Sequence, residues 1–222
     1  MSVPAPTIKA VIFDFGRVIS AARPDAVFER YEDELGLARG SINRIMFEAP
    51  AWQAALVGRL TMADYWHRIG PSLGLATPDA VERFRRRYYD DEAVDRDVLR
   101  LIQTLHGHFR LAVLSNHPPG LGPWLEDWGV HRYFDVVYGS GDEGCAKPDP
   151  AAYRAVLERL GVFPAEAVFI DDTAGHVAAA RELGIRGIVF THARQLSRDL
   201  AAWLPTSGSG RNNVAGPDVK RR

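Results

Sequence analysis

Five short apolar runs, set apart by helical stretches, constrain what this chain can fold into more than any other feature. They are "KAVIFDFGRVIS" at 9 to 20, "LAVLSN" at 111 to 116, "FDVVYGS" at 134 to 140, "AVFIDD" at 167 to 172 and "GIVFT" at 187 to 191. Each is rich in β-branched or aromatic residues and bounded by polar, Gly or Pro positions, which is the pattern of buried strands. Between them, "DPAAYRAVLERLG" sets Tyr153, Val156, Leu157 and Leu160 at helical spacing and stops at Gly161, and "HVAAARELG" stops at Gly184. Alternation of this kind predicts right-handed βαβ units, and hence an α/β fold with a parallel sheet covered on both faces.

The interval 22–97 breaks the alternation. "PDAVFERYEDELG", "SINRIMFEAPAWQAALVG", "TMADYWHRIGPSLG" and "PDAVERFRRRYYDDEAVDRDVLRLIQTLH" carry helical periodicity and helix-start residues without a convincing strand. We therefore expect a helical subdomain at 22–97, inserted into a core made of 1–21 and 98–204. The Ser/Gly/Asn-rich stretch 205–222 has little to bury and is expected to be a disordered tail.

Composition narrows the class. Of 222 residues 46% are hydrophobic, enough for a sizeable core. The formal net charge of -1, with arginines spread along the chain, leaves no electrostatic footprint for nucleic acid. The nearest basic cluster, "RFRRRYY" at 83 to 89, reads as the solvated face of a helix. Cys145 is the only cysteine, so neither an internal disulfide nor a thiolate metal site can form. With no apolar stretch of signal-peptide or membrane-span length, the expected location is the cytoplasm.

In an open parallel sheet, ligands sit beyond the carboxyl ends of the strands. Asp14 stands there after the first run, Ser115 and Asn116 after the second, and Asp171 with Asp172 after a later one; Lys147 joins them from the start of a helix in "AKPDP". Three carboxylates brought together repel one another unless a cation lies between them, and hard oxygen ligands select Mg²⁺. The set suits phosphoryl transfer: Asp14 attacks phosphorus and forms an aspartyl phosphate, while Lys147 and Ser115 hold phosphate oxygens. The chain has 24 arginines but only three lysines, and Lys9 and Lys220 lie near its ends. A compact ammonium, where a planar guanidinium would not fit, is a physical reason for the exception at Lys147.

Taken in order, "VIFDFGRVIS", "LAVLSNH", "AKPDPAAYRAVLERLG" and "VFIDDTAGHVAAARELG" resemble the motifs of the haloacid dehalogenase-like hydrolase superfamily, across nearly all of residues 8 to 204. The resemblance implies a Rossmann-like core with a helical cap. It implies Asp14 as nucleophile and magnesium ligand, with the Gly16 backbone carbonyl, Asp172 and Asp171 completing the metal set. Ser115, Asn116, Lys147 and Arg17 are then the residues expected at the substrate.

The chain also departs from the family pattern. Gly16 stands where phosphatases and mutases of the family usually carry a second aspartate that protonates the leaving oxygen. That argues against a mutase, and the "FDFG-x-V" variant resembles a subgroup that includes sugar-1-phosphate phosphatases. His117 and Arg17 are the nearest substitutes for the missing donor, although Arg17 could equally crowd the site, pair with substrate or turn to solvent. His176 replaces the usual Asp or Asn; it either takes over that hydrogen bonding or is a plain helix residue, and the second is the preferred reading. Trp52, Tyr65, Trp66 and His67 are read as cap core rather than substrate contacts. The expected function is a magnesium-dependent phosphatase-type hydrolase of a small phosphorylated metabolite, acting as a monomer or homodimer. The alternatives are a 2-haloacid dehalogenase, which the acidic pair disfavours, and a catalytically silent binding protein.

Overall fold

A computed structural model describes residues 7–204; the tail expected over 205–222 lies outside them. Five strands form one parallel sheet in the order β3-β2-β1-β4-β5. They are β1 Ala10–Phe13, β2 Arg110–Ser115, β3 Val136–Gly139, β4 Ala167–Asp171 and β5 Arg186–Val189. The alternation of the apolar runs thus builds the expected Rossmann-like α/β core. Along β1 the side chains divide by period two. Val11 and Phe13 join a cluster with Leu111, Val113, Val168 and Ile170, whereas Ala10 and Ile12 join Ala112, Leu114 and Phe169 on the opposite face. With both faces covered, all four β1 residues are fully buried, as its unbroken apolar run requires.

Six helices pack beside the sheet: α6 Arg96–Leu105, α7 Leu121–Asp127, α8 Ser140–Glu143, α9 Pro150–Leu160, α10 Ala174–Glu182 and α11 Ala193–Ala201. Helix α9 ends where Gly161 adopts φ 67°, the left-handed conformation that favours glycine. The short helices α7 and α8 follow β2 and β3 without any periodic signal in the sequence.

Between β1 and β2 lie α1 Asp25–Leu35, α2 Ser41–Asn43, α3 Pro50–Leu56, α4 Met62–Ile69 and α5 Pro78–Asp90. They enclose a separate apolar cluster centred on Tyr31, Met46, Trp66, Phe84 and Tyr88. On α5, Phe84 and Tyr88 point inward, while Arg85 and Arg86 pair with Glu82 and Arg87 with Glu34. The chain enters and leaves this helical unit side by side. Ser20 bridges Val94 in antiparallel fashion, Ala21 N–H donates to Ala93 O at 2.8 Å, and Asp95 N–H donates to Ile19 O at 2.8 Å. Asp95 then caps α6, whose Val98, Ile102 and Leu105 return to the sheet cluster. Among the described residues, no helix is long and apolar enough to cross a membrane.

Candidate active site

The site begins where β1 stops. Asp14 N–H still donates to Ile170 O at 2.8 Å, so the ladder with β4 runs one residue past the strand and carries the carboxylate to the sheet's carboxyl edge. A wide turn, Phe15–Ile19, follows. It closes through Ser20 N–H to Phe15 O at 2.8 Å and Arg17 N–H to Ser20 Oγ at 3.1 Å. Arg17 occupies the left-handed region at φ 59°, which only this non-glycine residue does among those described. Gly16, at φ -64° and ψ 124°, needs no glycine freedom, and a Cβ added there meets nothing within 4 Å.

Lys147 ties the strand ends together. Its Nζ donates to Asp14 Oδ1 at 2.8 Å and to Asp171 Oδ2 at 2.6 Å, and its side chain is 1% exposed. This excludes an ordinary surface lysine. It also corrects the expected placement: Lys147 lies in the turn before α9, not in the helix, because the helix starts at Pro150 behind the Asp149 cap. Asn116 fixes that turn, donating through Nδ2 to Lys147 O at 2.8 Å and accepting from Lys147 N–H at 2.7 Å. Expected at the substrate, Asn116 lines the cavity beside the site, yet both ends of its amide hold Lys147 in place.

Asp171 is fully buried and saturated. It accepts from Lys147, from Thr173 N–H at 2.7 Å and from His176 Nδ1 at 3.1 Å. His176 is therefore not a plain helix residue. It sits in the first turn of α10 at the carboxyl edge, where its ring reaches back to Asp171. Asp172 instead turns outward and pairs with Arg17, Nε to Oδ2 at 3.3 Å, although the Arg17 side chain is 73% exposed.

Burial and charge set these carboxylates apart. Burial pushes the Asp14 carboxyl up; the Lys147 charge opposes it, the Asp171 charge adds to it, and hydrogen bonds from Lys147 and Ser115 oppose it again. Burial acts on Asp171 in the same direction, but the hydrogen bonds from His176, Lys147 and Thr173 outweigh it and hold that carboxyl low. Asp14, Asp171 and Asp172 each bring one oxygen within 4.8 Å of the others. Three carboxylates, two of them bonded to Lys147 and the third paired with the exposed Arg17, form a donor set of hard oxygens with one more negative than positive charge. That set fits a divalent cation such as Mg²⁺.

A cavity of about 550 Å³ opens above these strand ends, between core and helical unit. Gly16, Arg17, Ser115, Asn116 and His117 line it from the core. From the helical unit come Trp52, Tyr65 and Trp66, so these three serve both the cap cluster and the cavity; His67 is exposed and its ring bonds to Ala63 O at 2.8 Å. Burial lowers the His117 pKa, and its Nδ1–H donates to Pro118 O at 2.6 Å. Burial thus disfavours the doubly protonated ring that His117 would need to donate from Nε2 while Nδ1–H stays on Pro118 O. Sequence reasoning missed Ser140, Arg23 and Glu92. Ser140 Oγ accepts from His117 N–H at 3.1 Å, and Arg23 and Glu92 line the cavity from the two cap connections. No local pattern brings residues 23 and 92 together; only the paired connections do.

The model of the haloacid dehalogenase-like hydrolase family matches residues 6–184. The chain belongs to that family. This hydrolase is 27% identical over 187 residues to the sesquiterpene phosphatase astK of Aspergillus oryzae, covering 83% of this chain and 91% of that one. It is 29% identical over 135 residues to phosphoglycolate phosphatase 1 of Pseudomonas aeruginosa, covering 59% of this chain and 50% of the relative. Among solved structures, the hydrolase resembles a HAD family enzyme of Bacteroides thetaiotaomicron in complex with magnesium and inorganic phosphate. The TM-score is 0.68 at 22% identity, over 83% of this chain and 94% of the other. It also resembles the L-2-haloacid dehalogenase of Xanthobacter autotrophicus with chloropropionic acid covalently bound, with TM-score 0.59 at 24% identity over 90% and 85% of the two chains. At these identities the structures speak for the fold.

Proposed function

We propose that this hydrolase cleaves phosphate monoesters of small metabolites in a magnesium-dependent reaction through an aspartyl phosphate on Asp14. One observation carries the reading: Asp14 is buried, bonded to Lys147 and hydrogen-bonded with Ser115, and of the three clustered carboxylates it is the one that adjoins the Phe15–Gly16 and Ser115 part of the cavity lining. The phosphatases among its relatives support it.

Lys147 opposes the protonation that burial favours on Asp14 and orients its carboxylate. The Asp14 carboxylate oxygen bonds to phosphorus as the ester P–O bond breaks, and the departing oxygen takes its proton from water, since no side-chain acid stands at Gly16. Ser115 steadies the phosphoryl oxygens, and Asn116 acts through Lys147. Water then attacks the phosphorus, inorganic phosphate leaves, and Asp14 is regenerated. Mg²⁺, held by Asp14, Asp172 and the Gly16 carbonyl with Asp171 behind them, would supply charge neutralisation for the incoming phosphate. Displacement of halide from a 2-haloacid fits less well, because three carboxylates repel a carboxylate substrate.

The test is p-nitrophenyl phosphate hydrolysis with magnesium, with chelator, and with magnesium restored. Turnover that disappears and returns supports the proposal; hydrolysis indifferent to chelator overturns the metal assignment.

A further inference from the structure

We infer that the alcohol released by this enzyme is a bulky apolar one, aromatic or long-chained, rather than a sugar or other polyhydroxylated group; the inference rests on the phosphatase reading above. The cavity wall facing the core is built from Phe28, Met46, Phe47, Trp52, Met62 and Trp66. Its volume falls within the roughly 300–1,000 Å³ of sites that enclose drug-sized ligands.

The polar atoms of that wall are already committed inside the protein. Tyr65 Oη donates to Met46 O at 2.6 Å, Trp66 Nε1 donates to Tyr89 Oη at 2.8 Å, and Tyr89 Oη turns to Met62 Sδ at 3.7 Å. Arg23 and Glu92 pair at 3.3 Å, Arg23 also donates to Tyr88 O at 3.0 Å, and its guanidinium lies 3.8 Å over the Tyr88 ring. Asp25 and Asn43, the other polar lining residues of the helical unit, are exposed. Among the described residues, Arg23 Nε is the one buried side-chain donor of the cavity left without a partner. A sugar brought against the buried part of this wall would give up hydrogen bonds to water that the committed groups there do not replace, whereas an apolar group gives up none.

The experiment measures kcat/KM on 4-alkylphenyl phosphates from methyl to hexyl, with glucose 1-phosphate alongside. Phenol acidity hardly changes along the series, so chain length reports contact rather than chemistry. The expected result is a rise of about threefold to fourfold per buried methylene until the chamber is filled, with the sugar phosphate below the methyl member. A flat or falling series, or a sugar phosphate above the hexyl member, overturns the inference. Failure to hydrolyse any of these esters, p-nitrophenyl phosphate included, would count against the phosphatase reading alone. The chamber is then judged by tryptophan fluorescence titration with methyl- and hexylphosphonate: tighter binding of the hexyl compound upholds the inference, and equal affinity overturns it.

Discussion

Asp14 is pulled in two directions, toward protonation by its burial and toward ionisation by Lys147 at 2.8 Å. Removing the lysine removes the only buried ammonium between two carboxylates. Lys147→Met should therefore cost on the order of 3–5 kcal/mol of stability, read as a lower urea midpoint, together with loss of turnover. An unchanged midpoint would mean the carboxylates find another partner. Lys147→Arg should not restore activity, because a planar guanidinium does not replace a point charge bonded to two strand ends. Gly16 gives the sharper residue-level prediction. Its backbone is ordinary and its Cβ position empty, so Gly16→Asp should fold normally. It would restore an acid where the family usually keeps one. In the wild type the rate should fall steeply as the leaving group becomes more basic. In Gly16→Asp that slope should flatten, with a gain of about 10²–10⁴ on the poorest leaving groups. Equal slopes in the two proteins would show that protonation is not what the wild type lacks.

At the scale of elements, the carboxyl edge of the sheet works because β1 is central and its neighbours run only one or two residues past it, to Asp171 and Ser115. The cap must then be held over that edge, and two contacts do this. Gly58, after α3, lies so close to Gly141 in α8 that a Cβ would come within 2.3 Å of the Gly141 carbonyl oxygen, and Gly58 also has φ 71°. Gly58→Ala should lower stability by about 1–3 kcal/mol and raise KM more than it lowers kcat, because it shifts the cavity roof rather than the nucleophile. A loss confined to kcat would contradict that division. On the other side Asp95 caps α6, accepting from Asp97 N–H at 2.9 Å and Val98 N–H at 3.0 Å. Asp95→Ala should cost about 1 kcal/mol, seen as a lower Tm. The strands and their parallel arrangement were legible because a strand buried on both faces is an unbroken apolar run and alternation with helices implies βαβ crossovers; their order in the sheet was not read from the sequence. The residues at the strand ends were legible for the same reason. Lys147 was displaced by three residues because Asp149 and Pro150 delay the helix start. The direction of His176 was hidden because α10 shows no strong amphipathic pattern that assigns its first turn to a face.

Across the whole molecule, two apolar clusters face each other over a cavity whose polar floor and aromatic roof come from separate stretches of chain. That division was not legible. The roof residues look like cap core, and Trp66 is both core and roof. It takes the folded insertion, entering and leaving through two paired connections, to set Arg23 beside Glu92. The surplus negative charge at the floor makes metal binding a property of the folded state alone. Magnesium at about a hundred times its Kd should stabilise the protein by about 2.7 kcal/mol, visible as a higher Tm that chelator reverses. Asp172→Asn should abolish the shift, and a shift that survives in this variant would place the ion elsewhere. The claim on which all of this depends is that Asp14 bonds to phosphorus, and the most direct measurement is mass spectrometry of enzyme acid-quenched during turnover of p-nitrophenyl phosphate with magnesium. The account predicts one phosphoryl group on the peptide that contains Asp14, and a rate at least ~10³-fold lower in Asp14→Asn. A phosphoryl group on another residue, or an Asp14→Asn enzyme that turns over like the wild type, would contradict it.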